Sequence, residues 1–294
     1  MATMLNIINR LKSPQTEEIV IKALLANMAY IRSSGSKRET DRLSGDAYNQ
    51  FVAECVANNQ YISLSREDYN DIYDLYVKLL QSLRNLDEDK IDYGAVRGIV
   101  LGHRKRLIDR ISDIAEPGSP EIIVPCAEYS NQLQVEILRL TPDIISEPII
   151  DIGCGKEFRL VKSLSKDYRE VFGIDQYQSS AKNVIRENWL DFHFKPGSWG
   201  TIISHMAFSN HFRRAIAFNS KDLSKYEAKY REILKALKPG GRFVYTPCVP
   251  EIEDKIDRKK YKIIYYENIA NTPIMATAHI KRLFNKEHPE LNER

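Results

Sequence analysis

The chain has 294 residues, 43% of them hydrophobic, which is enough to bury a core as one large domain or two modest ones. Its 43 Lys and Arg against 40 Asp and Glu leave a formal charge of only +3, with the two signs interspersed, so no polybasic arm points to nucleic acid. No apolar run is long enough to span a membrane, and the opening MATMLNIINRLK has no long apolar segment or small-residue cleavage site, so a cytoplasmic protein without membrane contact is expected.

Between about residues 16 and 115 apolar residues recur at three- and four-residue spacing, in IVIKALLANMAYI and again in YNDIYDLYVKLLQSL, which predicts an all-helical region. Thr16 before Glu17 and Glu18 reads as a helix start, and Ser65 with Asp68 has capping-box spacing. Tyr69, Tyr73 and Tyr76 share one helix face, a pattern that packs helices together or lines an acceptor pocket. A further helix is predicted over Tyr93–Ile114, where Gly94, Gly98 and Gly102 would let another helix approach closely. On it Arg104, Lys105 and Arg106 form a short basic cluster, readable as a docking patch or as a solvated helix face. The stretch AEPGSPEIIVP then breaks helical periodicity and reads as a linker, dividing a helical region, 1–120, from a second domain, 121–294.

After a helix predicted over residues 128–140, short β-branched runs alternate with helical segments: PIIDIG, EVFGID, GTIISHM and GRFVYTP. That alternation predicts a parallel, doubly wound α/β sheet. YKIIYYENI and MATAHIKRL follow without an intervening helix and are expected to pair as an antiparallel hairpin at the sheet's end. The four cysteines, Cys55, Cys126, Cys154 and Cys248, lie far apart in neither a CxxC pair nor a Cys/His cluster, so reduced thiols and no metal are expected.

The run Ile149-Ile150-Asp151-Ile152-Gly153-Cys154-Gly155 is an apolar strand ending in an acid and two glycines, which allow a tight turn and close approach to a ligand. Twenty residues beyond Gly155, a second strand ends at Asp175, placed to accept hydrogen bonds from ribose hydroxyls. A dinucleotide-binding turn would need GxGxxG, but Phe158 stands at the third glycine position. The acid at Asp151 suits a cationic amino group and disfavours a pyrophosphate.

From about residue 128 to 280 these ordered motifs resemble the class I, Rossmann-like S-adenosylmethionine-dependent methyltransferases. DIGCG is similar to the family's first motif, and Asp175 falls where its ribose-binding acid ends the second strand. Asn188-Trp189-Leu190-Asp191-Phe192 resembles the motif that reads the adenine, Gly197–Ser204 the fourth strand with its lead-in, and LKALKPGGRFV the helix, turn and fifth strand. The resemblance implies a mostly parallel seven-stranded sheet with a C-terminal antiparallel hairpin, and S-adenosylmethionine held by Asp151, Gly153, Gly155, Asp175, Gln176, Asn188 and Trp189. Tyr129 and Gln132, on the helix leading into the first strand, are placed where they could touch the cofactor from above. The chain departs from the family in carrying Glu157, beside Lys156, for the usual third glycine, and Gly200 where many relatives have an acid.

Methyl transfer from a sulfonium needs mainly an acceptor held in line, so a base is required only for some acceptors. The segment Ser204–His211 after the fourth strand is where the acceptor would meet the cofactor, and His205 is the candidate base, against the alternative of a hydrogen-bonded structural histidine. His211 is expected on an exposed helix start. No Asn/Asp-Pro-Pro-aromatic motif follows the fourth strand, which weighs against methylation of nucleic-acid bases. The expected activity is therefore transfer to an O or N atom of a small biosynthetic molecule, with the helical region as an acceptor-selecting lid and a surface for a homodimer. The alternatives are an RNA or protein methyltransferase and a cofactor-binding protein without activity.

Overall fold

The computed structural model describes residues 8–58, 64–114, 129–177, 179–267 and 276–284. The chain divides into two units, Met1–Cys126 and Ala127–Arg294. The predicted linker lies outside the described residues.

The first unit carries helices α1 (Pro14–Ala26), α2 (Met28–Ser33), α3 (Lys37–Asn58), α4 (Arg66–Arg84) and α5 (Tyr93–Ile114), with a 3-10 turn at Glu88–Lys90 between the last two. Helix α1 starts earlier than Thr16: Ser13 caps it by accepting from the Thr16 N–H, and Pro14 occupies the first turn, where its missing donor costs nothing. Asn27 then interrupts IVIKALLANMAYI, ending α1 before α2. The Ser65 and Asp68 capping box forms as its spacing predicts.

The tyrosine face of α4 packs against its neighbours. Tyr69 and Tyr73 meet the Tyr48 ring edge-on, and Tyr76 meets His103 at 4.8 Å. Among the described residues the glycines of α5 show no close approach of another helix: a Cβ on Gly98 would touch nothing within 4 Å, and one on Gly102 would meet only Arg106 of its own helix. Nor is the basic cluster one surface, since Arg104 is buried and paired with Glu17 at 2.8 Å, tying α5 to α1.

The second unit carries helix α6 (Asn131–Ile137), shorter than predicted and capped by Ser130, and then the sheet. Its elements are β1 (Ile149–Ile152), α7 (Arg159–Leu164), β2 (Val171–Asp175), β3 (Val184–Arg186), β4 (Trp199–His205), α8 (Phe208–Ala217), α9 (Leu223–Ala236), β5 (Leu237–Thr246), α10 (Pro250–Glu253), β6 (Tyr261–Tyr266) and β7 (Thr277–Arg282). The strand order is β3-β2-β1-β4-β5-β7-β6, with β1 to β5 parallel and the last two antiparallel. This is the expected α/β, doubly wound, seven-stranded sheet, and the hairpin inserts its second strand between β5 and β6.

Alternation along each strand builds two apolar layers. Ile150, Ile202, Phe243 and Tyr245 face Phe208, Phe212 and Tyr230 of α8 and α9, while Ile149, Ile203 and Val244 face Leu160 and Val161 of α7. Gly200 has a steric cause, because a Cβ there would lie 2.3 Å from the Ser146 carbonyl oxygen. The Lys-Pro-Gly-Gly turn is absorbed into β5 as a bulge: β4 advances from Trp199 to Thr201 while β5 advances from Leu237 to Arg242. Among the described residues no helix is long and apolar enough to cross a membrane.

Candidate functional site

Strand order reverses between β1, which is followed in space by β2 on one side, and β4 on the other; in doubly wound sheets the crevice at such a reversal is where ligands bind. Asp151, Asp175 and His205 all sit at the carboxyl ends of these strands. Gly153 and Gly155 both have φ +76°, a left-handed conformation that glycine adopts without a steric penalty. A Cβ on Gly153 would lie 2.2 Å from the Ala207 Cβ and 3.5 Å from the Trp189 ring, so the loops after β1, β3 and β4 converge here.

Asp151 is 2% exposed, and neither carboxylate oxygen has a hydrogen-bond partner among the described residues. Burial, helped by the nearby Asp175 charge, raises its pKa to about 7. A buried carboxyl without donors is costly as an anion, and a bound ammonium group would supply both the charge and the donors that it lacks. Asp175 is differently placed. Its Oδ2 accepts from the Gly155 N–H at 2.9 Å and its Oδ1 from the Tyr177 N–H at 3.2 Å, so it clamps the glycine turn to the end of β2.

Downstream of Gly155 the left-handed conformation falls on Phe158, at φ +38°, which caps α7 while its ring lies 4.1 Å from the Lys162 ammonium. Glu157 is exposed. The strain of this turn is therefore carried by Phe158 and not by the residue that stands for the missing glycine.

After β3, Asn188 is buried and its Oδ1 accepts from the Leu190 N–H at 3.0 Å, shaping the loop in which Trp189 lies. Trp189 is buried, its Nε1 has no partner among the described residues, and its ring meets His211 edge-on at 5.0 Å. His211 thus lies inside α8 packing and not on an exposed helix start. Gln176 is buried beside Asp175. Tyr129 meets the His205 ring edge-on at 4.7 Å, whereas Gln132 is exposed.

His205 is 7% exposed, with Nε2 lacking a partner among the described residues. Burial lowers its pKa to about 4, so the ring is neutral near pH 7. Met206, next in the chain, holds φ +54°, backbone strain of the kind that collects at functional sites. Ser204 positions this strand end: its hydroxyl donates to the Ile152 carbonyl and accepts from the Phe208 N–H, each at 3.1 Å. Ser204 and Ala207 belong to the site's frame, and only their place at the end of β4 could have marked them.

Four of the ten buried side-chain atoms without a partner among the described residues belong to Asp151, Trp189 and His205. Unsatisfied polar groups are thus concentrated where three loops meet, the pattern of a site shaped for a polar ligand. Among the described residues no group of three or more His, Cys, Asp and Glu is placed to hold a metal ion, and Cys55, Cys154 and Cys248 are buried free thiols.

No family model and no curated protein matches the chain. Among solved structures it is similar to an S-adenosylmethionine dependent methyltransferase from Mesorhizobium loti, at 14% identity and TM-score 0.38 over 50% of this chain and 96% of the other. It is similar also to the N-methyltransferase NodS from Bradyrhizobium japonicum WM9, at 12% identity and TM-score 0.37 over 52% and 96%. An rRNA methylase from Streptococcus thermophilus matches at 15% identity and TM-score 0.36 over 54% and 100%.

Proposed function

We propose that the chain is an S-adenosylmethionine-dependent methyltransferase that methylates an oxygen or nitrogen atom of a small molecule. The observation that carries this reading is Asp151, a buried carboxyl without a donor among the described residues at the end of β1, beside two left-handed glycines and one strand away from Asp175. Such a carboxylate fits the α-ammonium of a methionine moiety and would repel the pyrophosphate of a dinucleotide. Asp175, at the end of β2, would accept from ribose hydroxyls, and Trp189 would lie against the adenine with Asn188 shaping its loop.

The bound cosubstrate supplies an activated sulfonium methyl, so the chain's task is to orient an acceptor and keep water out. A neutral His205 with an unengaged Nε2 can accept a hydrogen bond from an acceptor O–H or N–H and hold its lone pair toward the methyl. With its pKa near 4 it is a weak proton acceptor, which suits an amine, or a hydroxyl already acidic, better than an aliphatic alcohol. The burial of Asn188, Trp189, His205 and His211 around this point favours a compact acceptor.

Calorimetric titration with S-adenosylmethionine, S-adenosylhomocysteine and NAD tests the reading. Binding of the first two with no heat from NAD is expected, and Asp151→Asn should abolish it. NAD binding alone, or unchanged affinity in Asp151→Asn, would overturn the assignment.

A further inference from the structure

The second unit carries a groove of about 490 Å³ whose lining is far from the charge balance of the whole chain. Arg231 and Lys235 reach it from α9, Lys255, Lys259 and Lys260 from the segment after α10, and Arg282 from the end of β7, against one acid among the described residues, Asp257. The sequence as a whole has nearly equal numbers of the two signs, so folding has gathered these cations from distant positions. Part of the charge is answered locally: Glu227 lies 3.4 Å from Arg231 and 3.6 Å from Lys255, and Asp257 lies 3.7 Å from Lys260. Lys235 and Lys259 are exposed and have no acidic partner among the described residues.

The same lining includes aromatic and apolar residues. Phe284 is 51% exposed, and its ring is seated on the Gly240 turn, where a Cβ would lie 2.9 Å from it. Tyr261 is half-buried on the same lining, at the start of β6. Arg282 is fixed in place by donating to the Lys235 and Leu237 carbonyls. The six cations come from three segments, α9, the stretch after α10 and the end of β7. A positively charged groove that also offers aromatic rings is the combination that tracks a phosphate backbone while unpaired bases stack.

We propose that this groove binds single-stranded RNA. It is separate from the candidate methyl-transfer site. Its lining residues Leu234 and Lys235 lead directly into Leu237, which pairs with Trp199 at the amino end of the parallel strands, while His205 closes β4 at the other end. Seven residues at about 3.3 Å each set the two ends roughly 20 Å apart. The proposal does not depend on what the methyl-transfer site does.

The test is fluorescence anisotropy of the full chain with a labelled single-stranded RNA oligonucleotide across a salt series. Binding is expected to weaken with salt at a log–log slope of about −3, as for some four neutralised phosphates on a single strand. Lys235→Glu with Lys259→Glu should lower affinity at least tenfold, and Tyr261→Ala with Phe284→Ala severalfold. The reversals Lys105→Glu with Lys166→Glu, at exposed lysines outside the groove, should leave affinity unchanged. Circular dichroism melting of each variant confirms that it is folded, without reference to any cosubstrate. No RNA binding at low salt would overturn the proposal, as would equal loss in the control pair. So would equally tight binding of poly-glutamate or of a free mononucleotide, or binding insensitive to the aromatic substitutions.

Discussion

At the residue scale, Asp151 sets stability against binding. Its pKa rises from 3.8 to about 7 on folding, so the folded chain holds a proton that the unfolded chain has released, and stability falls as pH rises from about 4 to 7. Asp151→Asn removes that penalty. The variant should be more stable than the parent at pH 8 by up to about 4 kcal/mol, with the difference vanishing near pH 4, as urea unfolding at the two pH values would show. The same proton competes with a bound ammonium group. S-adenosylhomocysteine affinity should therefore rise roughly tenfold from pH 6 to 8 and then level, and a flat profile by calorimetry would contradict the contact with Asp151. Asp151, Gly153, Gly155 and Asp175 were legible because each lies in a short local string. The double clamp by Asp175 was not, since it depends on where the turns place the Gly155 and Tyr177 amides.

At the element scale, the site is a contact between loops. Gly153 faces Ala207 across the gap between the β1 and β4 loops, and a Cβ would clash with another Cβ there. Gly153→Ala should destabilise the unit by about 2–4 kcal/mol, from overpacking and a left-handed φ together, and abolish cosubstrate binding. Adding Ala207→Gly should relieve the overpacking but leave the backbone penalty, about 1–2 kcal/mol, measurable by comparing the melting curves of the single and double variants. The strands that fix these loops were legible from apolar β-branched runs. β3 was missed because it is three residues long and half-buried, and Lys-Pro-Gly-Gly was read as a turn before the fifth strand although it belongs to β5 as a bulge. Helix starts shifted where a side-chain cap competes with a more acidic first turn, as Ser13 does with Thr16.

At the scale of the whole molecule, alternation of strands and helices made the doubly wound sheet legible. The charge distribution was not, because the groove gathers cations that lie up to about 50 residues apart in the chain, between Arg231 and Arg282. Each unit has its own apolar core: Ile21, Leu83 and Val96 in the helical one, and the two layers around Ile150 and Ile149 in the other. Every residue of the proposed cosubstrate set belongs to the second unit. A ligand that binds only the folded form stabilises it by about 2.7 kcal/mol at one hundred times its Kd. For S-adenosylhomocysteine this corresponds to roughly a hundredfold slowing of hydrogen exchange wherever exchange requires that unit to open. The slowing should be largest in β1, β2 and β4 and in the turn holding Gly153 and Gly155, and small around Leu83 and Val96. Equal slowing in both cores would mean that the ligand stabilises the chain through contacts other than those at the strand ends, and slowing confined to the helical core would remove Asp151 from the binding site.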